Sequence, residues 1–219
     1  MSEQPRPRAG RTPQGRRRIR GTVSSAALDL FAANGFEATT VDQIAEAAGV
    51  GRRTFFRYFR SKEDAVFGDH EERLADVAEL LEQAGGEEPL PAVCRAAEAV
   101  LETYLADPAV SLQRFALTRQ VPSLRAKEIA STDDYQRAFT RYLRGRYDGE
   151  PDAALRAAVA AAAVVAAHNQ VLREWLKSGA ELDARGRLHA ALAGVRGMAA
   201  TWPGTLGAAL DDRVGSAPA

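Results

Sequence analysis

Apolar positions recur every three or four residues in one segment after another, while alternation with period two never rises above noise. Ile19, Val23, Ala27, Leu30 and Phe31 form the first such stripe, which closes at Asn34-Gly35 with Phe36 placed for a C-terminal hydrophobic contact. Thr40 opens the next helix with Gln43 at the third helical position. That is a capping box, in which each side chain satisfies a backbone N–H that the helix start leaves free. Ile44, Ala47 and Ala48 are expected to face inward, Gly49 to supply the positive φ that stops the helix, and Val50 to pack where the chain turns. A second short helix follows over Arg52 to Phe59. Phe55 and Phe59, one helical turn apart, anchor it and leave Arg52, Arg53, Phe56, Arg57 and Tyr58 on its other faces. Two short helices about a tight glycine turn predict a helix-turn-helix, and the cations and aromatics of the second are candidate contacts to duplex DNA.

The rest of the chain keeps the helical period. Ser61 begins a second capping pattern and predicts one helix through Val66, His70, Leu74, Val77 and Leu81 to Gly85-Gly86. Pro89 and Pro91 start another, with Val93, Ala97, Val100, Leu101 and Tyr104 on one stripe. Asp107-Pro108 ends it and opens a short segment carrying Leu112 and Phe115. Pro122 opens a helix to Arg146, Gly149-Glu150-Pro151 interrupts, an alanine-rich helix runs to Lys177, and a last helix spans Leu182 to Ala200. The fold class is therefore all-α. An N-terminal three-helix helix-turn-helix DNA-binding domain is expected over 15–62 and a helical ligand-binding and dimerisation domain over 63–202. A flexible basic arm (1–14) and a flexible tail (203–219) flank them.

Charge sharpens this picture. The 29 basic and 29 acidic residues cancel, but residues 1–62 hold 12 Lys/Arg against 5 Asp/Glu, so a +7 head sits on a −7 body. Each phosphate neutralised by Lys or Arg releases condensed counterions, so DNA favours the head and not the body. A single cysteine, Cys94, excludes an intramolecular disulfide or a thiolate cluster, and its apolar neighbours suggest buried filler. His70, His168 and His189 lack metal-ligand spacing, so neither a metal nor a cofactor is expected. No run reaches eighteen uninterrupted apolar residues, and the N-terminus lacks the apolar core of a secretion signal. A cytoplasmic protein with no membrane contact is expected.

Three stretches carry a resemblance: Ala-Leu-Asp-Leu-Phe-Ala-Ala-Asn-Gly-Phe (27–36), Ala-Thr-Thr-Val-Asp-Gln-Ile-Ala-Glu-Ala-Ala-Gly-Val (38–50) and Arg-Thr-Phe-Phe-Arg-Tyr-Phe-Arg-Ser-Lys-Glu-Asp (53–64). From Arg16 to Val66 the chain resembles the TetR family of bacterial one-component transcriptional regulators. The resemblance implies that Thr54, Phe56, Arg57, Tyr58 and Lys62 touch phosphates or base edges, with Thr39 and Thr40 fixing the approach to the helix at 41. Two features depart from the family pattern. Gly51 stands where a serine or threonine often caps the recognition helix, and the pair Arg52-Arg53 stands where many relatives have small residues or proline. Either arginine can pair with guanine O6 and N7 or hold a phosphate.

The body is larger than support of the head requires, which points to a homodimer and a small-molecule effector. Leu188, Ala191, Leu192, Val195 and Ala199, with the alanine-rich helix, offer close-approach faces for a helix-helix interface between subunits. Tyr104, Phe115, His168, Asn169, Leu172 and Trp175 are candidates to line a mostly apolar cavity, with Arg119 and Arg125 as less favoured members. The run Pro122-Ser-Leu-Arg-Ala-Lys resembles a segment of a family subgroup whose bodies take acyl-CoA-like ligands. Asp133-Asp134 and Asp211-Asp212 have no partner motif, so they read as solvated acids and no enzyme is expected. The expected function is a dimeric repressor of a palindromic operator, released by a small apolar or amphipathic ligand. The rival is a DNA-binding regulator governed by a protein partner or by abundance.

Overall fold

The computed structural model describes residues 12–149 and 152–201. The basic arm through Arg11, the Glu150-Pro151 break, and everything from Trp202 onward, including the expected flexible tail, lie outside the described residues. Among the described residues there are ten helices and no strand: α1 Pro13–Asn34, α2 Val41–Ala47, α3 Arg52–Tyr58, α4 Lys62–Val66, α5 His70–Gln83, α6 Pro89–Leu105, α7 Pro108–Gln120, α8 Pro122–Arg146, α9 Ala153–Lys177 and α10 Ala184–Ala200. The described residues divide into two compact units, one of those through Arg73 together with 109–130, the other of 74–108 together with those from Ser131 onward.

The first unit contains the helix-turn-helix. Its core gathers Val23, Ala27, Leu28 and Phe31 of α1, Phe36, Ile44, Ala45, Phe55, Phe59, Ala65 and Val66. Leu124 at the start of α8 is fully buried in the same core, with Val110, Leu117 and Val121 packed against it. Helix α1 begins earlier than the sequence suggests. Thr12 accepts the Gly15 N–H at 3.0 Å and Pro13 takes the first helical position, where its missing N–H costs nothing, so 13–14 are helix and not arm.

The helix expected over 61–85 is two helices. Helix α4 ends at Val66, the chain turns through 67–69, and α5 starts at His70. Gly68 lies in the break. A Cβ there would lie 3.1 Å from Ser24 Cβ and 3.3 Å from the Phe59 ring, so the turn packs closely on α1 and on the residue that ends α3, and a larger residue would make those neighbours shift by a few tenths of an ångström.

In the second unit α6, α9 and α10 pack on one another. Alanines and valines make this possible. Ala157, Ala161 and Val164 of α9 are completely buried, as are Leu188 and Leu192 of α10 and Val93 of α6, and Leu101 of α6 is nearly so. This corrects the expected interface stripe, because Leu188, Leu192 and Val195 fill the subunit's own core. The exposed apolar residues of these helices are instead Leu155, Val159 and Met198, at 57, 45 and 66%. Helix α9 is long and apolar enough by composition to cross a membrane, a profile it shares with core helices of soluble proteins.

Candidate functional site

The recognition element is assembled from its turn. Thr40 and Gln43 close the capping box as expected: the Thr40 N–H donates to Gln43 Oε1 at 2.8 Å, and the Gln43 N–H donates to Thr40 Oγ1 at 3.3 Å. At the other end Gly49 takes φ +64°, with its N–H on the Glu46 carbonyl and the Val50 N–H on the Ala45 carbonyl. That pair of bonds is a Schellman stop, which demands a left-handed residue. Gly51 leads into α3 with no side-chain cap. The inward face of α2 is Ile44 and Ala45, whereas Ala47 is exposed, because the helix is only seven residues long and rests on α1 and α3 along one edge.

Helix α3 divides as an anchored recognition helix should. Phe55 is fully buried and Phe59 nearly so, their rings 5.4 Å apart. Arg52, Arg53, Phe56 and Arg57 are exposed and Thr54 is half-buried. Arg57 lies 5.0 Å from the Tyr58 ring centre, and Arg52 lies 5.2 Å from that of Phe56. An exposed cation-bearing face with phenylalanine at its centre can take phosphates, base edges and the thymine methyl.

Three of the expected DNA contacts are placed otherwise. Tyr58, expected on an outer face, is 9% exposed and belongs to the core, with the Arg20 guanidinium 6.0 Å from its ring centre. Thr39 is 1% exposed, and its hydroxyl donates to the Gly35 carbonyl at 2.8 Å, so the side chain is used inside the protein at the end of α1. The Lys62 ammonium donates to the carbonyls of Phe36 at 2.6 Å, Thr39 at 3.1 Å and Glu37 at 3.5 Å, and stands 4.3 Å from the Phe36 ring centre. Its three donors serve carbonyls of the turn between α1 and α2, the Phe36 carbonyl also accepting from the Thr39 N–H at 3.4 Å. Thr40 keeps its role at the start of α2.

Asp42 carries no signal in the helical pattern, yet its carboxylate accepts from Arg52 at 2.5 Å. The same is true of Asp69, which accepts from Arg73 at 2.5 Å and Arg114 at 3.4 Å. Burial pushes the Asp69 carboxyl up, but the adjacent Arg114 and Arg73 guanidiniums outweigh it and hold the group below its ordinary value. Neither pairing follows from helical spacing along the sequence, apart from Arg73 one turn after Asp69.

The expected effector residues fall into two groups. His168 and Trp175 on α9 are 7 and 3% exposed, with Asn169 and Leu172 half-buried beside them. Tyr104 of α6 stands 6.3 Å from the His168 ring, and His168 Nδ1 lies 3.2 Å from Asn169 Oδ1. These five share the second unit. Phe115 is in the first unit, stacked under Arg119 at 5.6 Å, and both Arg119 and Arg125 are exposed. Cys94 is buried, and burial pushes its thiol up to about 11, so it stays protonated and unreactive at neutral pH. Among the described residues no group of three or more candidate ligands could hold a metal.

Comparison with known proteins agrees with this geometry. Residues 24–66 match the model of bacterial regulatory proteins of the tetR family, and residues 87–200 match that of the MftR C-terminal domain. The chain is 34% identical over 176 residues to the HTH-type transcriptional regulator TcmR of Streptomyces glaucescens, covering 77% of this chain and 78% of TcmR. It is 32% identical over 129 residues to MftR of Mycobacterium tuberculosis, named as a mycofactocin biosynthesis regulator, covering 58 and 65%. Among solved structures, a TetR-family regulator of Syntrophomonas wolfei superposes with a TM-score of 0.61 at 16% identity, over 85% of this chain and 97% of that one. FadR of Thermus thermophilus, a TetR-family repressor in complex with lauroyl-CoA, superposes with 0.53 at 22%, over 80 and 92%. The chain belongs to the TetR family of bacterial transcriptional regulators.

Proposed function

We propose that this regulator is a cytoplasmic homodimeric repressor that holds a palindromic operator and releases it when a small apolar or amphipathic molecule binds the body. The observation that carries the reading is α3, with Phe55, Tyr58 and Phe59 buried and Arg52, Arg53, Phe56 and Arg57 turned outward. The DNA-binding domain is assigned to 15–62 and the effector and dimerisation domain to 63–202. Thr40, Arg52, Arg53, Thr54, Phe56 and Arg57 face the duplex, and Tyr104, His168, Asn169, Leu172 and Trp175 border the effector.

Dimerisation follows from two features. One head makes few contacts, so a twofold pair spanning half-sites about 34–36 Å apart multiplies weak binding into specific binding. The outward apolar residues of α9 and α10, Leu155, Val159 and Met198, lie on surfaces rich in small side chains that permit close helix approach. An acyl-CoA-like effector is supported by the lauroyl-CoA complex of the Thermus relative and by the run starting at Pro122. Emptying a nearly full operator requires the effector to prefer the released state by about 5.5 kcal/mol. Helices α5 and α8 each contribute residues to both units, so these two helices are the segments offered for carrying an effector-driven change to the head.

The test selects bound fragments from genomic DNA with the purified chain, then adds lauroyl-CoA and, separately, free fatty acid. An enriched palindrome that is lost on addition of either supports ligand-released repression. A palindrome indifferent to both leaves a regulator with a different effector or none, and absence of any enriched sequence rejects the operator reading.

A further inference from the structure

An exposed carboxylate on a surface that approaches phosphates works against binding, so an acid beside the recognition helix needs a compensating role. Asp42 stands in the first turn of α2 with 65% of its side chain exposed. Its Oδ1 accepts from Arg52 Nη1 at 2.5 Å across the glycine turn. The same guanidinium lies 5.2 Å from the ring centre of Phe56. Phe56, itself 45% exposed, stands edge-on to the fully buried Phe55, with centroids 5.4 Å apart and planes at 81°. Arg52, with 61% of its side chain exposed, thus meets a carboxylate on one side and an aromatic ring on the other, and that ring rests edge-on against the buried Phe55. Arg53 and Arg57, exposed on the same helix, pair with no carboxylate among the described residues.

We infer that Asp42 is a specificity-determining positioning residue: it fixes Arg52 to read guanine, while Arg53 and Arg57 carry the phosphates. The inference rests on the DNA-binding reading above and names the division of labour within it. A guanidinium has five N–H donors, so one taken by a carboxylate leaves donors for guanine O6 and N7. The paired Arg52 and Asp42 carry no net charge and displace few counterions, which suits a base contact and not a phosphate contact. A free arginine loses rotamer freedom when it docks, and Asp42 and Phe56 remove that freedom beforehand. Asp42 also suits the positive end of α2, but that role alone implies nothing about base preference.

The experiment selects duplexes from a random pool with the full chain and with Asp42→Asn, Arg52→Lys, Arg52→Gln and Arg53→Gln, then measures affinity for the winning and an unrelated duplex over a salt series. Circular dichroism is run on each protein as a check of the fold. The wild type is expected to enrich a motif with one guanine per half-site that both Asp42→Asn and Arg52→Lys relax at that same base pair. The lost discrimination should be roughly 5- to 150-fold. Arg52→Lys should leave the slope of log affinity against log salt unchanged. Arg53→Gln should flatten that slope by about 0.9 per head and keep the base preference. An unaltered motif with Asp42→Asn overturns the positioning role. A flattened slope with unchanged preference for a charge-removing Arg52→Gln makes Arg52 a phosphate contact and overturns the division of labour. If the wild type selects no motif, the operator reading itself fails and takes this inference with it, an outcome told apart by the wild-type arm alone.

Discussion

Lys62 uses its ammonium inside the protein, donating to three carbonyls at the junction of α1 and α2. Removing a charged donor from such acceptors strands them, so Lys62→Met should lower stability by about 1–3 kcal/mol in denaturant unfolding. The salt slope of DNA binding should stay as it is; a drop of one phosphate would mean that Lys62 leaves those carbonyls for the backbone. Asp69 gives a second residue-level expectation. Its folded carboxyl titrates below the unfolded value of about 3.9, so its stabilisation is complete above that pH and disappears as acid carries the solution through the lower folded value. Asp69→Asn should therefore destabilise at neutral pH and flatten the acid limb of a stability-against-pH curve. The loss should fall below the roughly 3–5 kcal/mol of a fully buried pair, because the Asp69 side chain is 44% exposed while Arg73 and Arg114 are 6 and 9%. A neutral-pH stability equal to wild type would show that water, not Asp69, compensates the two arginines.

Among the elements, the turn of the helix-turn-helix has the least freedom. Gly49 sits at φ +64° with open space around its missing Cβ, so Gly49→Ala meets backbone strain and no clash. It should cost about 1–2 kcal/mol, read as a lowered unfolding midpoint. Helix α3 should behave in the opposite way. Arg53 and Arg57 are exposed, so replacing either with alanine should leave the midpoint within about 0.5 kcal/mol of wild type and still weaken DNA binding. A destabilised Arg57→Ala would place its stacking on Tyr58 in the fold and not at the DNA. Capping pattern and apolar stripe made α2, α3 and α6 through α9 legible in the sequence, because each signal lies within a turn or two of the residue it governs. The split between α4 and α5 was not legible. Val66, His70, Leu74 and Val77 continue the stripe across it, whereas the turn itself packs on Ser24, forty-four residues away, and on the Phe59 ring, contacts that helical spacing does not reveal.

At the scale of the whole molecule, the dimer proposal makes the outward apolar face of α9 decisive. Val159→Glu leaves the subunit core untouched, since Val159 is 45% exposed, yet it puts a charge on the proposed interface. The expected result is a monomer by light scattering and at least a hundredfold weaker operator binding, on the order of 3 kcal/mol from loss of the second head. A variant that remains dimeric moves the interface elsewhere. Leu188→Glu makes the contrasting control, because Leu188 is fully buried and its replacement should unfold the second unit.

The all-helical class, the glycine turn, the capping box and the arginine-aromatic helix were set by residues a few positions apart, and the sequence alone determined them. The family resemblance rested on the same short runs. Tertiary structure decided which members of those runs remain available. It buried Tyr58 and Thr39, drew Lys62 onto backbone carbonyls, turned Leu188, Leu192 and Val195 inward, and joined residues 109–130 to the core of the first unit. It also brought Asp42 to Arg52 across the turn. Helical periodicity gives the faces of one helix but not which neighbour covers each face, and a side chain's partners across a turn or a core depend on that neighbour.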